Sequence, residues 1–137
     1  MKKILIFTLV LLVISFVACK ENTTNIKAIK GEIELISPQQ VYDAIYKDRS
    51  IQLIDVRTPE EFKGNHLKGA QNICITSADF KEKVKILDKN KPVYVYCNRG
   101  GQSAQAAIAL KELGFTKIYD MEGGILLWEE NKLELSN

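Results

Sequence analysis

The feature that most constrains the fold of this chain is a regular alternation, from Glu32 onward, of short strand-like runs with longer helical segments. Each of the five runs is followed by a segment with helical character. This is the pattern of βαβ units around a largely parallel sheet. The predicted strands are EIELIS, IQLID, AQNICI, PVYVYC and KIYDM. The most continuous run, PVYVYC, is predicted to be a central strand covered on both faces.

Capping signals place the first two helices. Ser37 with Pro38, and Thr58 with Pro59, each supply an N-cap followed by a proline suited to the first helical position. Gly64 and the asparagine after it are expected to end the second helix. Both helices are therefore predicted to begin directly after a strand.

Three further helices are predicted along the rest of the chain. One opens at Ser77 and another runs from Ser103 to Leu113, with Gly114 where a helix C-cap needs positive φ. The first of these has Phe80, Val84 and Leu87 on one face. The last covers ILLWEENKL after an EGG turn, and its Trp128 is interpreted as a packing residue.

Length and composition limit the classes of protein that fit. At 137 residues the chain is the size of one domain able to bury an adequate core. Its hydrophobic fraction of 46% and charged fraction of 26% are close to those of soluble globular proteins. Wholesale disorder and a polytopic membrane protein are both disfavoured.

The first residues differ from the rest. Lys2 and Lys3 precede an apolar run over 4–18 that is too short to span a membrane but fits the core of a secretory signal. The run ends in FVAC, which resembles the lipobox of bacterial lipoproteins, with Phe16 in place of the usual leucine. The resemblance implies that Cys19 is acylated and that the protein is anchored in the bacterial cell envelope. An ordinary cleaved signal peptide and an uncleaved anchor helix are the alternatives.

The predicted organisation is therefore a signal peptide over 1–18, a lipidated N-terminus with a polar tether over 19–31, and one domain over 32–137. Cleavage would remove two of the 19 basic residues and no acidic one, leaving 17 basic against 17 acidic. Without a basic run, nucleic-acid binding lacks its electrostatic signature. Attachment to a membrane would depend on lipid at Cys19. We expect a monomer.

The remaining cysteines are Cys74 and Cys97. Cys74 lies in the strand-like run AQNICI, so we interpret it as a core residue in preference to a disulfide partner. Connectivity cannot be read from sequence alone, and a pairing of the two stays open.

Cys97 stands at a strand-to-helix junction, where open α/β sheets place their ligands. Gly100 and Gly101 permit a tight loop with inward N–H groups, and the helix near Ser103 adds its positive end. This setting favours a thiolate nucleophile. The alternative is that Cys97 merely ends a buried strand and the glycines form a plain turn.

Three segments, LIDVRTPEEFKGNHLKGAQNI, VYVYCNRGGQSAQAAIALKELGF and DMEGGILLW, resemble a single-domain rhodanese, a sulfurtransferase-like family. The resemblance covers the chain from Ile33 onward. It implies an α/β fold with a mainly parallel five-stranded sheet flanked by helices. It places the catalytic cysteine at Cys97 and the loop-closing hydroxyl at Ser103. The substrate-binding loop between them is Asn98, Arg99, Gly100, Gly101 and Gln102.

The chemistry that the resemblance implies is a double displacement. Cys97 takes sulfane sulfur from a small donor such as thiosulfate or a persulfide, and a thiol acceptor then removes it. No metal or organic cofactor is required. Phosphatases and arsenate reductases with this fold carry arginine six residues after the cysteine, and Ser103 stands there instead. Phosphatase chemistry is therefore disfavoured.

Gln102 departs from the family pattern, because many active rhodaneses carry arginine there. A neutral amide replaces a charged fork of donors, which favours a persulfide donor over thiosulfate unless Arg99 substitutes. Asp55 and Arg57 match a DVR motif and are interpreted as supporting residues: a structural ion pair or cap that holds the following segment, in preference to residues that orient the active loop. His66 is expected to pack or hydrogen-bond and not to act as a general base.

Two other functions stay open on sequence alone. A catalytically weak binding or redox-sensing module would keep the fold and loop, and Gln102 favours it. A thiol oxidoreductase using Cys97 with Cys74 is disfavoured because the pair lacks C-x-x-C spacing.

Overall fold

The computed structural model describes residues 31–136. The predicted signal peptide, Cys19 and all of the tether before residue 31 therefore lie outside the described residues. Among the helices of residues 31–136, none is both long and apolar enough to cross a membrane.

Five parallel strands form one sheet in the order β1-β5-β4-β2-β3. The strands are β1 (Glu32–Ile36), β2 (Gln52–Asp55), β3 (Gln71–Asn72), β4 (Val93–Tyr96) and β5 (Lys117–Met121). The predicted mainly parallel, five-stranded sheet is confirmed. The run predicted to be central is β4, which has two strands on either side of it.

Helices flank both faces of the sheet. They are α1 (Pro38–Lys47), α2 (Pro59–Gly64), α3 (Phe80–Lys83), α4 (Gly101–Glu112) and α5 (Gly124–Glu130), with a 3-10 turn over Val84–Ile86 directly after α3. Residues of α3 and α4 pack in a core on one face, whereas residues of α1 and α5 pack in a second core on the other. The sheet is therefore the middle of three layers.

The first two helices begin as the sequence predicts. Ser37 accepts a hydrogen bond from the N–H of Gln40, whose side chain reaches back to the Ser37 N–H, and Thr58 forms the same reciprocal pair with Glu61. These capping boxes satisfy N–H groups that have no partner inside the helix. The Glu61 carboxylate in one box and the Gln40 amide in the other each accept a hydrogen bond from the backbone N–H of the N-cap residue.

The core on the α4 side surrounds the end of the central strand. Val93, Val95 and Cys97 share it with Ile118 of β5 and with small residues of α4. Ala106 and Ala107 are fully buried there. Because their side chains are short, α4 can lie close to the sheet and bring its first turn to the end of β4.

Residues 73–87 differ from the prediction. The strand expected over AQNICI consists of Gln71–Asn72 only, and the helix expected from Ser77 begins at Phe80. The Ser77 hydroxyl bonds the Asp79 carboxylate and does not cap the helix. Phe80, Val84 and Leu87 are nevertheless buried as expected.

The prediction that Cys74 is a core residue is wrong. Its thiol is free and the residue is only half-buried, with Sγ 3.2 Å from Thr76 Oγ1. The regular alternation of side chains stops with β3, so the apolar pattern of AQNICI does not continue as a strand. The disulfide alternative is not formed either, because Cys97 is also free.

The last two helices have shifted bounds. Helix α4 starts at Gly101, two residues before the predicted Ser103, and Gly114 has the expected positive φ of 94°. Helix α5 ends at Glu130, because the chain turns at Lys132, whose φ is 58°. Trp128 is buried and its indole N–H donates to the Glu134 carbonyl, which agrees with a packing role.

Candidate active site

Cys97 directly follows β4 and is 2% exposed. Its position is set by the sheet, since β4 is the central strand and its carboxyl end faces the first turn of α4. Parallel sheets of this kind bind ligands at that edge. The thiol is therefore buried at the edge of the sheet where ligands bind in this architecture.

The loop after Cys97 turns a backbone donor toward the sulfur. The N–H of Gly100 lies 3.0 Å from Cys97 Sγ. Gly100 has a φ of 108°, which side-chain-bearing residues rarely adopt, and that conformation closes the loop. The sulfur thus accepts a hydrogen bond that would strengthen if it carried negative charge.

Ser103 lies on the other side of the sulfur. Its Oγ is 3.6 Å from Cys97 Sγ and donates to the Gly100 carbonyl at 3.1 Å. The residue is fully buried in the first turn of α4, where backbone N–H groups have no acceptor inside the helix. The loop therefore directs the Gly100 N–H to the sulfur, and the helix start places the Ser103 hydroxyl next to it.

The start of α5 holds the same loop from behind. The N–H groups of Ile125 and Leu126 donate to the carbonyls of Cys97 and Asn98, at 2.9 Å and 3.2 Å. A Cβ on Gly124 would lie 2.5 Å from those carbonyl groups, closer than side chains approach in real proteins. The second glycine of EGG is therefore needed for the close approach of α5 to the loop.

Six residues line a surface cavity of about 340 Å³ that opens onto Cys97. They are Glu61, Cys97, Asn98, Arg99, Gly101 and Gln102. Arg99 is exposed and Gln102 half-buried. The cavity thus combines one carboxylate, one guanidinium and two neutral amides, so no excess positive charge attracts a dianion.

Asp55 and Arg57 form a buried ion pair at the end of β2. Arg57 donates twice from its side chain to the Asp55 carboxylate, with Nη2 2.7 Å from Oδ2, and also donates to the Asn65 carbonyl at 2.7 Å. Burial lowers the pKa of Arg57, but the hydrogen bonds and charge of Asp55 outweigh burial and raise it. The pair joins β2 to the end of α2, and neither residue lines the Cys97 cavity.

His66 lies outside that cavity. Its ring stacks on Phe62 with centroids 4.1 Å apart, and Nδ1 donates to the Phe62 carbonyl at 3.0 Å. The contacts are those of a packing residue, as expected from the sequence.

Two other cavities lie near the carboxyl end of α1. One of about 210 Å³ is lined mainly by apolar residues such as Ile45, Ile51 and Leu53, and one of about 390 Å³ extends to Pro92 and Tyr94. Although the first has a more enclosed apolar wall, neither contains a cysteine. The cavity lined by Cys97 is therefore the candidate active site, because it alone of the three contains a thiol nucleophile.

Sequence reasoning missed three residues of this region. Glu61 was interpreted only as part of a helix, Gly124 only as part of a turn, and Asp120 only as part of a strand. The sequence carries a signal for Gly124 alone, because paired glycines before a helix can mark a close backbone approach. Glu61 and Asp120 reach the site only through the tertiary fold.

Comparison with known proteins gives one family. Residues 37–131 match the family described as Rhodanese-like domain. An uncharacterized protein of Bacillus subtilis, YqhL, is 42% identical over 80 residues, which cover 58% of this chain and 62% of that protein. The chain thus spans about three fifths of that relative's length. The thiosulfate sulfurtransferase GlpE of Pseudomonas putida is 33% identical over 99 residues, covering 72% of this chain and 86% of that protein.

Solved structures show the same fold. The crystal structure of a rhodanese-related protein from Thermoplasma volcanium superposes with a TM-score of 0.65 at 31% sequence identity. The superposition covers 75% of this chain and 97% of that chain.

Replacement of Gly124 by alanine tests the contact behind the loop. We expect Gly124→Ala to lower the free energy of unfolding by about 3 kcal/mol and to slow iodoacetamide alkylation of Cys97 at least about tenfold, because the new Cβ displaces the loop. Gly69→Ala is the control, since Gly69 has a φ of 80° but no atom within 4 Å of the added Cβ. It should cost only the backbone strain of about 1 kcal/mol. If Gly69→Ala slowed alkylation of Cys97 as much as Gly124→Ala, Gly124 would not be needed for the close approach of α5 to the loop.

Proposed function

Given that the chain belongs to the Rhodanese-like domain family, we propose that it is a sulfurtransferase that carries sulfane sulfur on Cys97. The observation that carries the proposal is the placement of Cys97 Sγ between the Gly100 N–H and the Ser103 hydroxyl, at the start of α4. The Gly100 N–H stabilises a negative sulfur both before and after it accepts a second sulfur atom, and the Ser103 hydroxyl can turn from the Gly100 carbonyl to donate to that sulfur.

The proposed reaction has two displacements. The Cys97 thiolate attacks the outer sulfur of the donor, and the donor's sulfur bond breaks with its electron pair leaving on the departing group. For thiosulfate that group is sulfite, and for a persulfide it is a thiolate. An acceptor thiolate then attacks the outer sulfur of the Cys97 persulfide and regenerates the Cys97 thiolate. One transfer is thereby divided into two easier steps.

The cavity gives a reason to favour a persulfide over thiosulfate as the donor. Arg99 is the one cation among its lining residues, and Glu61 adds a carboxylate to the same lining. A dianion entering this cavity meets a repulsive and an attractive charge together, which nearly cancel. A donor with one negative charge or none depends less on electrostatic attraction, so the lack of net positive charge weakens its binding less than that of thiosulfate.

Relatives support sulfur transfer at the level of the family. Relatives in Escherichia coli and Pseudomonas putida are named thiosulfate sulfurtransferases. Their names describe those proteins, and the donor of this chain is set by its own loop residues.

We also propose that the protein works outside the cytoplasm as a lipid-anchored monomer of the bacterial cell envelope. The support is the apolar run over 4–18, followed by Ala18 and Cys19 in the arrangement of a lipobox. Small donors and thiol acceptors would then reach Cys97 at the membrane surface.

Mass spectrometry of residues 20–137 tests the sulfur carrier. After incubation with thiosulfate, or separately with a small-molecule persulfide, we expect a gain of one sulfur atom on Cys97, with faster loading by the persulfide. Cys97→Ala should gain none. Cys74→Ser is the matched control and should load normally, since Cys74 is a second free thiol outside the cavity. Absence of sulfur with either donor would overturn the transferase and leave the binding or sensing module.

A change of charge at the cavity tests donor selection. Gln102→Arg and Glu61→Gln should each increase the rate of loading from thiosulfate by about tenfold, with little change for a neutral persulfide, because the first adds a positive charge near the dianion and the second removes a negative one. Glutamine at position 61 should keep the helix cap, since Gln40 closes the same kind of box in α1. Glu60→Gln changes the same charge on the same helix outside the cavity lining and should have no effect. An equal gain from Glu60→Gln would show that the cavity is not responsible.

Metabolic labelling with an alkyne fatty acid tests the anchor. In a bacterial host we expect the full chain to incorporate the label and to sediment with membranes, whereas Cys19→Ser should not incorporate it. Label retained after Cys19→Ser, or an unlabelled wild-type chain, would contradict lipidation at this residue.

A further inference from the structure

Asp120 is a buried acid that the proposed reaction does not use. It lies in β5 and is 5% exposed. Among the residues that the structure describes, its Oδ1 is the fully buried side-chain oxygen left without a hydrogen-bond partner. Buried polar atoms are nearly always paired, so an unpaired carboxylate oxygen in the core needs an explanation.

The position of Asp120 in the sheet brings it under the Cys97 loop. Asp120 pairs with Val95 of β4, two residues before Cys97. It follows Ile118 by two residues, so both side chains point to the face covered by α4. Val95, Ile118 and Cys97 belong to the same core on that face. The carboxyl group therefore lies on the Cys97 side of the sheet.

The groups around Asp120 carry no charge. Its neighbours across the sheet are Leu35 on β1 and Val95 on β4. The Ser103 hydroxyl of α4, which donates to the Gly100 carbonyl, is the polar group close enough to affect its carboxyl group. Burial raises the pKa of Asp120, and the Ser103 hydroxyl offsets part of that rise. Within residues 31–136 no ion pair stabilises the carboxylate, so the neutral acid persists to higher pH than it would in water.

We propose that Asp120 is a positioning residue for Cys97: when its carboxyl group is protonated, it donates to Ser103 Oγ and so leaves the Ser103 proton for the sulfur. This inference rests on the proposed function, because it concerns the same nucleophile. Ser103 stands between the two groups, with Oγ 3.6 Å from Cys97 Sγ.

The direction of the hydrogen bonds decides the effect. A hydroxyl has one proton, which Ser103 now donates to the Gly100 carbonyl. When Cys97 becomes a thiolate, a neutral Asp120 that donates to Ser103 Oγ allows Ser103 to donate to the sulfur, and the two bonds polarise one another. An ionised Asp120 instead competes for the Ser103 proton. It also places a second negative charge near the thiolate in a medium of low dielectric constant.

The pH dependence of Cys97 alkylation tests the proposal. The probe is iodoacetamide on the full chain in detergent, with the rate at Cys97 followed by peptide mass spectrometry. The wild-type rate should rise with pH over a broad range, because ionisation of Asp120 opposes formation of the thiolate. Asp120→Asn, which cannot ionise but keeps a donor, should follow a single ionisation and react about tenfold faster above the pH at which Asp120 ionises. Identical profiles would overturn the proposal.

Two variants distinguish a hydrogen bond through Ser103 from a simple change of charge. Asp120→Ala lacks the donor and should react about fivefold more slowly than Asp120→Asn. In a Ser103→Ala background the two should become equal, since no hydroxyl is left to orient. A difference that persists there would show that Asp120 does not act through Ser103. Asp43→Asn, which removes an exposed carboxylate on α1, is the control and should match the wild type.

Thermal unfolding provides a readout if Asp120→Ala fails to fold. A folded-state pKa raised above the unfolded value of about 3.8 means that stability is lost as pH rises through that range. The melting temperature of Asp120→Asn should therefore exceed that of the wild type increasingly as pH rises, and a constant difference would contradict burial of a titrating acid.

Alkylation needs no sulfur donor. A protein that alkylates as expected but never loads sulfur would refute the sulfurtransferase and leave the role of Asp120 standing.

Discussion

The hydrogen bonds from the start of α5 to the carbonyls of Cys97 and Asn98 are the interaction on which the rest of the site depends. They hold the backbone at the end of the central strand while the loop reverses direction at Gly100. They also require Gly124, because a side chain there would occupy the space of those carbonyl groups. With the loop fixed from behind, its N–H groups can face the sulfur on the other side.

In this arrangement, different groups stabilise the negative charge on the Cys97 sulfur and select the donor molecule. The Gly100 N–H beside Cys97 Sγ is a backbone donor, so its stabilisation of negative charge on the sulfur does not come from a side chain. The side chains that line the cavity, above all Glu61, Arg99 and Gln102, decide which donor can enter. A family that keeps the loop can thus change its substrate by exchanging charges at the cavity, and we propose that the glutamine at position 102 is such a change.

The fold could be predicted from the sequence because its determinants are local. The strand-helix alternation, the caps at Ser37 and Thr58, and the positive φ of Gly114 each depend on a few neighbouring residues. The prediction of regular structure failed over 73–79, where the chain forms turns in place of the expected strand and helix start, although the expected burial of Phe80, Val84 and Leu87 is confirmed.

The residues of the candidate site also differ in whether local sequence or the tertiary fold places them there. Cys97, its glycine loop and Ser103 are contiguous in the chain, so the loop could be predicted. Glu61 and Asp120 lie 36 and 23 positions from Cys97 in the sequence and come near it only through the parallel pairing of β2, β4 and β5. Their contribution depends on sheet register and on burial, neither of which appears in a linear motif.

The most direct test of the account is a crystal structure of the protein after treatment with a persulfide donor. The account predicts one additional sulfur atom bonded to Cys97 Sγ at about 2.05 Å, within hydrogen-bonding distance of N–H groups of the loop 98–103. A structure in which Cys97 stays unmodified, or in which the added sulfur points away from those N–H groups, would contradict it.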